Sequence, residues 1–343
     1  MRGNLLRGLP SCKFLFSVAL VFPAISPAQS LQPLTLVGMT ALPEITGDFD
    51  HFAVDLKRNR LFVAAEEHHT LEMFDLKTGK HLQSIGGVKT PHSIAYVPEK
   101  DELFIADGDD SACVVLSASD FHQVDRIPLA AGPDAALYDP ATKRFYVGNG
   151  GRSAKQETST ITIISVDDHK KVADISIDGY NVESMAVDPL HHRLFVNIRD
   201  KKEIGVVDLT SNKTVAKWTT PEMNRNTPLR FDEANQRVFV AGRTPGKFFV
   251  FNAADGTLVQ AADCVEIADD MTWDPTLRRI YITGSQGVSI FKQQTKDHYT
   301  QVIQMPTNGG KTSIYVPELK QFYIVHPKTT IDNAGLLVYR VNP

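Results

Sequence analysis

The chain has 343 residues, 42% of them hydrophobic and 22% charged, with a formal net charge of −4. That apolar fraction supplies a large core and excludes a disordered polypeptide. The mildly acidic balance excludes a general nucleic-acid binder, which sets clustered Lys and Arg against phosphates.

The first element is a targeting segment. Arg2, Arg7 and Lys13 form a basic start, and residues 14–25, FLFSVALVFPAI, are an apolar run of secretory-signal length. Ser26, Pro27 and Ala28 supply small residues for cleavage after Ala28, so residues 1–28 are expected to be a signal peptide and 29–343 a single domain. Cys12 precedes the apolar run and is not placed as a lipid anchor. No second long apolar run follows, so the expected product has no transmembrane segment and is periplasmic or extracellular. It keeps 33 basic and 40 acidic residues, a net charge of −7. It also keeps two cysteines, Cys113 and Cys264, too few for a disulfide framework. No C-x-x-C-H occurs, so covalent haem is not indicated.

Beyond this segment one template recurs seven times, beginning with HFAVDLKRNRLFV at 51–63 and ending with TSIYVPELKQFYI at 312–324. Its aromatic anchors are Phe62, Phe104, Tyr146, Phe195, Phe239, Tyr281 and Tyr323, spaced by 42, 42, 49, 44, 42 and 42 residues. Each unit reads as strand, polar turn, strand. Turns such as Asp139-Pro140 and Asp188-Pro189 stop the first strand, because proline fixes its φ and has no N–H to donate. A third strand follows, as in IGVVDL at 204–209, and a fourth, as in KTVAKW at 213–218. Four strands per unit of this length is the blade size of a propeller. The seventh unit stops after its third strand, and LTLVGMTAL at 34–42 supplies the missing fourth. The expected fold is therefore all-β: a seven-bladed β-propeller of four-stranded antiparallel blades, its ring closed by an N-terminal outer strand.

FYVGN (145–149), EIGVVDLTSNKTVAKW (203–218) and FDLKTGKHLQSI (74–85) resemble the repeats of YVTN-type β-propellers, and the resemblance runs through all seven units. It implies an exported or surface-exposed seven-bladed propeller and fixes no reaction, because the repeat encodes packing. The third unit departs from the pattern in its longer loop, GNGGRSAKQETST at 148–160, which is expected on the ligand face.

Alignment of the units sorts the candidate residues. Glu66-Glu67-His68-His69 has the look of a metal site, but the same slot holds Gly108-Asp109-Asp110-Ser111 and Arg199-Asp200-Lys201-Lys202. A slot that takes either charge sign reads as a solvated turn. His191-His192 falls in the strand one–two turn on the opposite face and reads the same way. A stronger column lies at the mouth of the innermost strand: Asp50, His92, Asp134, Glu183, Thr227, Asp269 and Lys311. One residue per blade at one template position converges on one axis. Carboxylates gathered there raise one another's pKa or recruit a cation such as calcium, with Lys311 and Arg225 as internal partners. Arg230 stands where other units have Ala53, Ala95, Leu137, Ala186, Thr272 and Ile314. A guanidinium there needs a partner. Glu183 or Asp269 is the expected one, and the alternative is that Arg230 anchors a substrate carboxylate.

Three function classes fit. The first is an interaction module, expected to be monomeric, holding a small-molecule or protein ligand at the channel mouth. The second is a lactonase-like hydrolase using His92 as base with Glu183 and Arg230 or Arg225. The third is a quinoprotein-type oxidoreductase subunit, for which no cofactor motif appears.

Overall fold

The structure, a computed structural model, describes residues 32–151 and 154–343. The expected signal peptide and Arg152 of the long loop lie outside the described residues.

The seven units fold as seven four-stranded antiparallel sheets. Their innermost strands are Phe49–Asp55, Pro91–Val97, Pro133–Asp139, Val182–Asp188, Asn226–Asp232, Ala268–Asp274 and Thr312–Val316, for blades 1 to 7. Each innermost strand packs beside that of the next blade, and the seventh returns to the first. Strand ends expected from sequence agree to within a residue, as at Glu203–Asp208 and Lys213–Trp218.

Closure follows the sequence reading. Leu34–Leu42 pairs antiparallel with Ala334–Val341 and completes blade 7 as its outer strand. The Thr40 hydroxyl also donates to the Gly79 carbonyl of blade 1 at 2.7 Å, so the closing strand ties two blades together.

The core is not one mass but seven clusters, one per joint between blades. Phe52, Val63 and Phe74 of blade 1 meet Tyr323 and Leu336 of blade 7. Phe195 and Trp218 of blade 4 meet Val238 and Phe249 of blade 5. The aromatic anchor of every repeat is buried, none more than 3% exposed. This is why the repeat length is legible: each anchor fills the joint that its own blade helps to build.

The turns between first and second strands share one conformation. Asn59, Asp101, Lys143, His192, Gln236, Arg278 and Lys320 all have φ between 50 and 58°. In blades 1 and 4 the aspartate that ends the first strand clamps this turn. Asp188 accepts from the His191 ring at 2.8 Å and from Arg193 Nη2 at 2.7 Å, and Asp55 accepts from Arg60 in the same way. His191 is thus part of a clamp on the strand one–two turn. Cys113 in blade 2 and Cys264, in the loop between Leu258–Asp263 of blade 5 and Ala268–Asp274 of blade 6, are free thiols.

Candidate functional site at the channel mouth

Six of the seven innermost strands carry an extra residue near their start, shown by a register shift such as that between Phe49 and Phe52. A bulge of this kind re-aims side chains that strict alternation would turn away. The expected column therefore reaches the channel, and in blade 1 its neighbour does too. Asp50, His92, Asp134, Glu183, Thr227, Asp269 and Lys311 line one cavity of about 150 Å³, together with His51, Arg199 and Arg243.

A second ring lies above the first. Glu66, Arg199 and Arg243 occupy one template position, four residues past the anchors Phe62, Phe195 and Phe239. This corrects the reading of the Glu66–His69 slot. The slot is a turn, with the His69 N–H on the Glu66 carbonyl at 3.4 Å and the equivalent bonds at Ser111 and Lys202. Its first side chain nevertheless points inward, and Glu66 lines the mouth. His68 and His69 stay outside it.

The charges are largely paired. His92 Nδ1 donates to Asp50 Oδ2 at 2.9 Å and lies 3.8 Å from Asp134, while His51 pairs with the other oxygen of Asp50. Arg199 Nη1 donates to Glu183 Oε1 at 2.5 Å, and Asn181 adds a bond at 3.0 Å. Lys311 Nζ lies 2.6 Å from Asp269 and 3.1 Å from Asp48, and Arg243 approaches Asp269 at 3.5 Å. Glu66 is the exception: its carboxylate has no hydrogen bond or ion pair among the described residues. Glycine at 108 makes room for this arrangement, since a Cβ there would lie 2.8 Å from His92 Nε2.

Electrostatics follow from the pairing. Burial opposes charge on both imidazoles, but Asp50 pushes His51 up to about 10, and Asp134 together with Asp50 pushes His92 up to about 10. Burial also works against the Asp50 carboxylate, and the two imidazoles overcome it and hold Asp50 well below the usual range. Burial raises Glu66 to about 7 against the pull of His92. Burial and the charge of Asp134 raise Glu183 to about 7 against Arg199. Asp134 is raised by burial as well. His92 is therefore an imidazolium at neutral pH, with no vacancy for a proton. Two other groups are held near neutrality, Glu66 and Glu183, and either fits the general-base position that the sequence reading gave to His92.

Over these rings opens a wider cavity of about 480 Å³, bounded by Gly108, Gly150, Gly151, Tyr180, Asp200 and Arg225 among others. The long loop of blade 3 begins here, on the face expected for it. Arg225 sits at this rim, exposed. Arg230 does not join the group. Its expected pairing with Glu183 or Asp269 is absent, because those carboxylates are engaged by Arg199 and by Lys311 with Arg243. Arg230 instead faces a separate cavity at the other end of the channel.

Asp50, Glu66 and His92 offer one ligand atom each within 4.8 Å of one another. Two carboxylates and an imidazole suit zinc or manganese better than calcium, which prefers an all-oxygen shell.

The arrangement defines a seven-bladed β-propeller with a charged channel mouth. No protein-family profile matches the chain, and no curated protein matches it in sequence. Among solved structures it is similar to a chain of the crystal structure of the mitotic checkpoint complex. The TM-score is 0.75 at 14% identity, over 96% of this chain and 99% of that one. A likeness at that identity establishes the propeller fold and nothing about the site. Among the described residues no helix is long and apolar enough to cross a membrane.

Proposed function

We propose that the protein is an exported binding module of the YVTN-like kind that holds a small polar ligand at the channel mouth. The ligand presents a cationic or hydrogen-bond-donating group to Glu66, Asp134 and Glu183. The observation that carries this reading is Glu66, a carboxyl with no hydrogen bond or ion pair among the described residues, beside two other raised carboxyls in one cavity. Gathering them costs stability that a bound cation offsets. The cation is organic or a divalent metal on Asp50, Glu66 and His92; the metal requires His92 to lose its proton and release Asp50. Calorimetric titration with zinc, manganese, calcium and the diamine putrescine tests this. At least one probe should bind, and Glu66→Gln should weaken it about tenfold or more. Binding that survives both Glu66→Gln and Glu183→Gln overturns the reading. Export rests on the basic and apolar pattern of residues 2–28, and N-terminal sequencing of the secreted protein should begin at Gln29.

A second reading, hydrolysis of a small ester or lactone at the same mouth, is favoured by one observation: Glu183 and Glu66 sit near 7 beside a fixed imidazolium. In that case a glutamate takes the proton from water and His92 stabilises the oxyanion. The rate should then rise with pH through about 7. His92→Ala should lower kcat, and Glu183→Gln should remove the pH dependence. A rate that is flat between pH 5 and 9 argues against it.

A further inference from the structure

Below the charged rings, toward the face of the first-to-second-strand turns, the channel holds another cavity of about 460 Å³. Its wall is built by the innermost strands of blades 3, 4 and 5, including Leu137, Met185, Ala186, Val187 and Phe231. His51 closes it toward the mouth, lining both spaces. At one level of the ring the template position reads Ala53, Ala95, Leu137, Ala186, Arg230, Thr272 and Ile314. Six neutral side chains and one guanidinium share that level.

Arg230 is lightly committed. Its Nη1 donates to the Leu229 carbonyl at 2.7 Å, and among the described residues it has no ion pair. The nearby carboxylates are engaged elsewhere. Asp270 accepts the Ser313 N–H at 2.8 Å and turns its other oxygen toward His51 Nε2 at 3.9 Å. Asp139 accepts the Ala141 N–H at 3.0 Å and the Thr142 hydroxyl at 2.6 Å, inside its own turn. Glu233 is exposed at the outer rim. A guanidinium in partly apolar surroundings, with donors left over and only the charge of Asp270 acting on it from beyond ion-pair distance, has room for an anion seated directly on it.

We propose that this lower cavity is a second binding site, for a small organic carboxylate whose charged end meets Arg230 and whose apolar body lies along Met185, Val187 and Phe231. Its size and mixed lining are those of small-molecule sites: apolar walls with a few polar groups, of which Arg230 is the cation left without an ion pair among the described residues. The site differs from the mouth in cavity, in the charge it takes and in the face it opens to, with His51 the one residue lining both.

The probe is hexanoate, with hexylamine and hexanol as controls of equal chain length. Wild-type protein should bind hexanoate saturably by calorimetry and neither control comparably. Arg230→Met keeps the apolar stem and removes the charge, and should weaken binding about tenfold or more. The Met185 methyl, in the cavity wall, should shift in methyl NMR spectra with hexanoate and not with hexylamine. That measurement needs only wild-type protein, so it decides even if the variant fails to fold. An unmoved Met185 methyl, unchanged affinity in Arg230→Met, or a loss produced by Arg225→Met at the mouth in its place each overturns the proposal.

Discussion

Glu66 and Glu183 share one mouth and a carboxyl raised to about 7, yet they should respond oppositely to the same change. Glu183 has Arg199 and Asn181 on it; Glu66 has no hydrogen-bonded partner among the described residues, and its burial, with repulsion from Asp50 and Asp134, outweighs the more distant pull of His92 and Lys311. Both folded-state values lie above the ordinary 4.5. The stability each contributes is therefore full below about 4.5 and lost as pH rises through about 7. His51 and His92, raised from 6.5 to about 10, contribute stability that is full below 6.5 and lost on the way to 10. Asp50 runs the other way, its contribution present above 3.8 and lost in acid. Urea denaturation should thus show stability falling steadily between about pH 5 and pH 10. Glu66→Gln should be neutral near pH 5 and gain about 1 kcal/mol near pH 8, where the wild-type carboxyl has ionised. Glu183→Gln should cost about 1–2 kcal/mol near pH 8, because it leaves the Arg199 guanidinium without its counter-charge. A loss of stability in Glu66→Gln at pH 8 would mean that this side chain has a partner after all.

At the scale of single elements, two turns with histidines behave alike in sequence and differently in consequence. In the strand two–three turn, His68 and His69 lie outside the mouth, and the His69 ring hydrogen-bonds the Lys89 carbonyl. Replacing both by Ser should change stability by no more than about 0.5 kcal/mol and leave any metal content as it was. In the strand one–two turn, Asp188 is fully buried and holds both His191 and Arg193. Asp188→Ala should cost about 3 kcal/mol by stranding Arg193, read as a lowered urea midpoint at pH 7. These turns also mark the limit of sequence reading. The repeat exposes strand order, anchors and the Asp50-to-Lys311 column, because one backbone solution is coded seven times. It hides what only one blade does. His51 and Asp270 go unseen because alternation turns them away and only the bulge in the strand brings them in. Glu66 goes unseen when its turn is read as four equivalent residues, although the aligned Arg199 and Arg243 at the same position were the available signal. Arg230 is left without an ion pair among the described residues because other blades have already engaged the carboxylates expected for it, and no single strand encodes that.

At the scale of the whole molecule, stability rests on the ring being closed. Seven clusters sit at seven joints, and each needs two blades, so an open seam leaves two blades with an uncovered face. The joint at risk is built by both ends of the chain. Leu42 and Ile45 enter the cluster between blades 7 and 1, and Leu34 enters the one between blades 6 and 7. Removing residues 34–42 therefore thins two joints at once and bares the backbone edge of Ala334–Val341, a template for pairing between molecules. The deletion variant should melt well below the full domain and self-associate on concentration, as followed by circular dichroism and light scattering. Leu42→Ala should lower stability by a milder ~2–3 kcal/mol without association, because the edge stays covered. If ring closure by this strand is what unites the blades, supplying residues 34–42 in trans as a synthetic peptide should restore the melting temperature and suppress association together. Unchanged melting in the deletion variant, or recovery of solubility without recovery of stability, would show that the blades hold together without it.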